Sequence, residues 1–279
     1  MPYPANFIPE VWSKKLLKIF DKTTVMANVV NRDFEGEITS AGDVVHVRTF
    51  GDVTINDYTR DMTISFQTLT DPMVDLTIDQ QKYFAFKVDD LDKAQADINI
   101  LEGYAARGAI AIRNVVDSRL LAHYADLDTN NKIGTDGSPI TLSKTNIYAY
   151  ITDLAQMLDE DNVPQEDRSL VIPPKLKTLL LQSEEFTRAT NLGDRVVQNG
   201  YIGNVAGFAV HVTTNMAPVS GVYNVLALHR DAISFASQVS KVETVRPYNM
   251  FAEAVKGLYL YGSKVMLPKG GAVLKANAS

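Results

Sequence analysis

With 279 residues, 46% hydrophobic and 22% charged, the chain has a globular composition, enough for one large domain or two modest ones. A net charge of −6 argues against a dedicated nucleic-acid binder, and the absence of cysteine removes disulfides and thiolate chemistry. The mean hydropathy is −0.07 and no apolar run approaches the length of a membrane-spanning helix.

The first 35 residues begin as an arm. Met1 to Phe7 is proline-rich and reads as extended, and Pro9 suits a first helical turn. Trp12, Leu16, Ile19 and Phe20 then fall on one helical face. That face packs on its own domain or docks on a neighbouring chain. Lys14, Lys15 and Lys18 lie inside this stretch with no apolar segment after them, so it does not read as a signal peptide.

Residues 36–81 read as a long β-hairpin. Val45 and Val47 alternate with His46 and Arg48, Met62, Ile64 and Phe66 share one face of a second strand, and Val74, Leu76 and Ile78 alternate with Asp75, Thr77 and Asp79. Turn chemistry sits at Gly51-Asp52, near Asn56-Asp57, at Arg60-Asp61 and at Asp71-Pro72. A two-stranded ribbon is marginal alone in water, and this one has apolar faces with no covering helix of its own. Another surface must cover it, and a second copy of the chain is one candidate.

Residues 82–124 supply the organising element. Tyr83, Phe84, Phe86 and Val88 predict a strand. A helix follows, with Asp89 or Asp90 as N-cap and Asp92 in the first turn. Leu91, Ala94, Ile98, Leu101, Ala105, Ala109, Ile112, Val116, Leu120 and Tyr124 step by three or four residues, so they form one apolar face. Such a spine would be roughly 50 Å long at about 1.5 Å per residue. Gly103 and Gly108 inside it predict a bend or a close backbone contact.

The polar loop from Asp126 to Pro139 invites a calcium reading through Asp126, Asp128 and Asn130. It fails the EF-hand test, because Asn131 stands where glycine is required and Gly137 where a bidentate glutamate is required. Ser143 or Thr145 can cap a helix through Ile147, Ile151, Leu154 and Leu158 that ends in a solvated acidic run, Asp159-Glu160-Asp161. Ser169 to Ile172 is a short buried strand, and Pro173-Pro174 opens a helix through Leu176, Leu179 and Leu180. Gly200, Gly203 and Gly207 have neither phosphate-loop nor dinucleotide spacing and lead into a strand through Phe208, Val210 and Val212. Residues 222–228 form a further strand, and residues 143–235 together make a compact α/β unit. Val239 to Val245, Phe251 to Leu267 and Ala272 to Lys275 are strand-rich and are expected to return to the spine as the sheet it packs on. The fold class is α+β.

The search for chemistry assigns no catalytic, cofactor-binding or metal-ligating residue, and no cofactor. His46, His123, His211 and His229 form no His-Glu-x-x-His pair, there is no Gly-x-Ser-x-Gly elbow, and carboxylate pairs such as Asp89/Asp90 are explained as caps. An enzyme would need turnover by soluble monomers with a pocket, and no motif points to one.

Several stretches together resemble the major capsid proteins of tailed bacteriophages, the family with the HK97 fold. The resemblance is nearest to coat proteins similar to that of phage P22, without the inserted domain that coat carries. They are Phe7-Ile-Pro-Glu-Val-Trp12, Asn31-Arg-Asp-Phe-Glu-Gly36, Ile78 to Asp90, Asn199 to Gly207 and Tyr261-Gly-Ser-Lys-Val265. Their order and spacing cover nearly the whole chain. The resemblance implies an N-terminal arm at 1–35 and an extended β-hairpin, the E-loop, at 36–85. It implies a peripheral domain of 86–142 and 236–279 holding the spine helix and its sheet, and an axial domain at 143–235. It also implies copies that close as pentamers and hexamers into an icosahedral shell around double-stranded DNA, in a virion assembled in the bacterial host cytoplasm. A portal, non-specific contact with the packaged DNA and no membrane partner follow from it. Because Met1 is followed almost at once by the arm motif, a separate scaffolding protein is expected. The family's name-giving member joins subunits by isopeptide bonds from an E-loop lysine, and this sequence has no lysine between Asp43 and Gln81. Encapsulins, bacterial compartments that hold cargo enzymes, share the fold and are the alternative. DNA rather than cargo protein inside purified particles separates the two.

Overall fold

A computed structural model describes residues 22, 24–34, 44–48, 53–60, 62–64, 66–68, 73–89, 100–184, 203–246, 248 and 251–278. The arm helix expected over Trp12 to Phe20, the cap candidate Asp90, the first-turn Asp92, and Gly200 lie outside them. The described chain opens with a short helix α1, Met26–Val29. Strands β1, Val44–Arg48, and β2, Met73–Thr77, pair antiparallel as a ribbon. Strand β3 spans Gln80–Asp89, and the residues after it that Asp89 would cap lie outside the described ones.

The spine is helix α2, Ile100–Leu121, followed by a 3₁₀ turn at Ala122–Ala125. Its described 22 residues span about 33 Å, and Leu91, Ala94 and Ile98, the start of the face read from periodicity, lie outside the described residues. The apolar spacing nonetheless marks its inner face: Val116 and Leu120 are buried, and Ala105, Ala109 and Ile112 are half-buried. Gly108 marks a close contact, because a Cβ there would stand 3.0 Å from the Phe84 ring.

Short strands β4, Lys132–Ile133, and β5, Ile140–Leu142, come next, then helix α3, Ile147–Glu160. Neither Ser143 nor Thr145 caps α3 through its side chain; the Ser143 carbonyl accepts from the amides of Asn146 and Ile147 instead. Strand β6, Arg168–Ile172, is buried throughout, and helix α4, Pro174–Leu181, starts on Pro173-Pro174. A two-residue loop, Ala206-Gly207, joins β7, Asn204–Val205, to β8, Phe208–Val212. Both loop residues have positive φ, as a tight hairpin with right-handed strand twist requires. Strands β9, Tyr223–His229, β10, Ile233–Val245, β11, Ala252–Val265, and β12, Gly271–Ala278, complete the chain.

Two larger sheets organise these elements. One has the order β10-β11-β3, antiparallel throughout, with Phe84 and Phe86 turned toward the spine helix. The other runs β4-β12-β9-β6-β8-β7, with β5 also on β12. Here the structure corrects the sequence reading. The C-terminal strand does not return to the sheet beside the spine; it inserts between β9 and the short strands β4 and β5. The reason is burial on both faces. Leu274 packs with Leu154, Leu170, Leu176 and Phe208 under α3 and α4, while Val273 packs with Met26, Val116, Leu120 and Phe235 under α1 and α2. A strand that alternates between two apolar layers can only sit inside a sheet.

Two local expectations are also corrected. The acidic run is not simply solvated. Asp159 accepts from the buried Arg168 guanidinium at 2.7 Å, and Asp161 accepts from the Asn131 side-chain amide at 2.6 Å. Residues 62–64 and 66–68 do not form a strand, although their pattern predicts one.

Candidate assembly surfaces

The ribbon splits into two halves with opposite surroundings. At its base, Val45, Leu76 and Ile78 are buried against Ala236, Leu260 and Met266 of the chain's own strands. The base of the hairpin is therefore covered by another surface, as expected, but that surface belongs to the chain itself. Gly262 makes this approach possible, because a Cβ there would collide with the Thr77 carbonyl. Beyond the base, Val53, Ile55, Tyr58, Met62, Ile64 and Phe66 are all exposed, Ile55 and Phe66 at 94% each. So many exposed large apolar side chains on one short stretch mark a surface on which something docks. A second exposed group lies around the β10–β11 connection, at Val245, Tyr248 and Phe251.

Behind these surfaces stands a buried hub that the sequence did not reveal. Asp117 of α2 is 1% exposed. Its Oδ1 accepts from the amides of Val25 and Met26 at 2.9 and 2.8 Å, and its Oδ2 accepts from Asn215 Nδ2 at 2.9 Å and Thr213 Oγ1 at 3.3 Å. One carboxylate thus ties the start of α1 and the segment after β8 to the spine. The only hint in the sequence was a charged residue next to Val116 on an otherwise apolar helix face.

The weighed chemical candidates fall apart in space. Asp128 accepts from the Asn130 amide, while Asp126 binds His123, so the polar loop does not converge on a cation. Among the described residues no group of three or more side chains could hold a metal. His46 pairs with Asp75 at 2.6 Å on the outer face of the ribbon. His211 lies in β8, and burial pulls its pKa below the usual histidine value. His123 is buried, with Nδ1 2.8 Å from Asp126 Oδ2 and Nε2 2.8 Å from Ser263 Oγ. This has the order of a serine–histidine–carboxylate relay, but such a relay acts only with an open substrate approach and oxyanion donors. Neither described surface cavity, one of about 520 Å³ near Gln165 and Arg230 and one of about 150 Å³ beside Asp117, is lined by these residues. The trio instead clamps the end of the spine to β11. No described helix is long and apolar enough to cross a membrane.

Comparison with known proteins points one way. A family model described as phage capsid protein matches residues 73–274. The solved structure of Mycobacterium phage Che8 matches with a TM-score of 0.82 and 30% identity, covering 97% of each chain. The capsid of cyanophage P-SCSP1u matches with a TM-score of 0.80 at 17% identity, covering 98% of this chain and 94% of that one. The capsid of Ralstonia phage GP4 gives 0.68 at 14% identity, over 99% and 96%. No functionally curated protein matches the sequence.

Proposed function

Because this chain belongs to the phage capsid protein family, we propose a part-by-part role for its elements in a closed shell. The chain is a major capsid protein of a tailed phage, with an HK97-like fold, and its place is the virion capsid. An encapsulin compartment is not favoured, since the matches are to phage capsids. Its work is mechanical: copies assemble into a shell, which needs heterologous contacts repeated around symmetry axes.

In our reading, residues 1–35 are an arm and the ribbon within 36–85 is the E-loop. The spine with the β10-β11-β3 sheet is the peripheral body. Residues 143–235, with β12 counted to their sheet, are the axial body that meets its copies around five-fold and six-fold axes. The reading calls for an icosahedral shell of pentamers and hexamers, a separate scaffolding protein, a portal, non-specific contact with double-stranded DNA, and assembly in the host cytoplasm. One observation carries the assembly role: the apolar end of the ribbon is uncovered in the single chain. Deleting residues 52–70 should leave a foldable subunit, because the covered base is retained, and should abolish shells in electron micrographs. Closed shells of normal size from the deleted protein would refute the role given to the ribbon.

A further inference from the structure

A cavity of about 150 Å³ lies on the seam where the segment around α1 meets the spine and the β10-β11-β3 sheet. The fold leaves the charge in this cavity unbalanced. Arg32, beyond the end of α1, and Arg113 of α2 both line it, so each side of the seam contributes one guanidinium. Asp117 is the single acid in the lining. It stands one helical turn after Arg113, at the spacing where the two side chains would pair.

They do not pair, because Asp117 is spent elsewhere. Its Oδ1 accepts from the amides of Val25 and Met26, and its Oδ2 accepts from Thr213 and Asn215. Among the described residues none forms a hydrogen bond or ion pair with Arg113. Asp33, next to Arg32 in the sequence, is bound by the Arg230 guanidinium at 2.8 Å. The two acids placed by sequence to neutralise these arginines therefore serve other donors.

The rest of the lining sets the kind of ligand. Ala27, Val116 and Phe235 form apolar walls, and Thr24 adds a hydroxyl. Apolar walls lower the local dielectric, so an anion here is attracted more strongly than on an open surface. Two like charges on one such cavity also repel each other until an anion lies between them. The volume is well above the roughly 15 Å³ that one water needs, which leaves room for a tetrahedral oxyanion in place of several waters. Guanidinium forks match phosphate oxygens in geometry as well as in charge.

We propose that this cavity binds one phosphate group, with Arg113 and Arg32 donating to it, and that the bound group ties residues 24–32 to the spine. The site does not depend on the shell reading, since a subunit that never assembled would still bind. The phosphate is either a free ion or part of a nucleic-acid backbone; the recognising chemistry is the same.

The test uses dissociated subunits of the full chain in phosphate-free buffer. Inorganic phosphate is titrated against chloride at equal ionic strength. The unfolding midpoint should rise and saturate, and amide exchange at residues 24–32 should slow along the same curve. Arg113→Gln should move that curve to phosphate concentrations at least about tenfold higher, the worth of one charge-assisted hydrogen bond. The concentration at half-effect is read, so a less stable variant still reports. Arg119→Gln removes the same charge from an exposed position of the same helix outside the cavity, and should leave the curve in place. No saturable rise with phosphate would overturn the site. Equal weakening by both variants would overturn it too, because net charge alone would then explain the binding. A saturable rise without slower exchange at residues 24–32 would overturn the tie to the spine. A short DNA duplex added with the phosphate separates the sources: competition assigns the site to a backbone phosphate, and its absence to the free ion.

Discussion

A carboxylate inside an apolar helix face is costly unless every lone pair is used, and Asp117 uses them on four donors. Asp117→Ala would leave the Val25 and Met26 amides and the Asn215 side chain without that acceptor inside the core. We expect a loss of about 2–4 kcal/mol in the urea unfolding of dissociated subunits. Asp117→Asn keeps the shape and one acceptor oxygen, so its loss should be smaller; equal losses for the two would mean that the retained shape and single acceptor contribute nothing. His211 gives a second expectation, in pH. Burial lowers its folded pKa below the ordinary 6.5. Above that pH the ring is neutral in both states and contributes no slope. As pH falls below 6.5, the unfolded chain binds the proton first, so stability declines until pH passes the folded value. His211→Gln should flatten the fall of the urea midpoint between about pH 7 and pH 5, and an unchanged slope would remove His211 from the account.

Phe84 is the contact through which β3, β11 and the spine lock together. A Cβ at Gly257 would collide with its ring, and one at Gly108 would stand 3.0 Å away, so both elements offer the ring a notch without side chains. Gly257→Ala should cost about 1–3 kcal/mol by overpacking. Adding Phe84→Leu should recover part of it, giving a non-additive cycle in denaturant unfolding. Strict additivity would show that the ring does not sit in the notch. Gly108 was legible in the sequence because a glycine inside a periodic helix needs a reason. Gly257 was not, since a glycine in a strand-rich run could as well mark a bulge. The same limit explains the larger error at the C-terminus. The alternation of Val273 and Leu274 announces a strand, but which sheet takes it depends on two apolar layers assembled from residues as distant in sequence as Met26 and Leu154. The ribbon failed the other way. Met62, Ile64 and Phe66 carry a clear strand pattern, and the single chain supplies no surface on which a strand would be stable. As for the site, the apolar faces at Val45 and Val47, at Met62, Ile64 and Phe66, and at Val74, Leu76 and Ile78 were readable from alternation alone, whereas the Asp117 hub joins positions about 90 residues apart and leaves no periodic trace.

A shell of many copies must hold against internal load, either by covalent bonds between subunits or by buried area repeated at every contact. A covalent amide lock needs an amine on the reaching element. The sequence places no lysine between Asp43 and Gln81, so the whole ribbon lacks one. Its cations are Arg48 and Arg60, whose guanidinium stays protonated and is a poor nucleophile. His46 is already engaged by Asp75. Lys82 is the nearest amine, but it belongs to the edge strand β3, paired opposite Tyr259, rather than to the ribbon's reaching end. The exposed apolar residues at the ribbon's end should then supply most of the holding energy, at about 25 cal/mol per Å² of buried apolar surface, with exposed ion pairs adding little. Shells of this protein, boiled in detergent, should therefore release a single band near 30.8 kDa. A ladder of covalent oligomers would refute the non-covalent lock and would point first to Lys82.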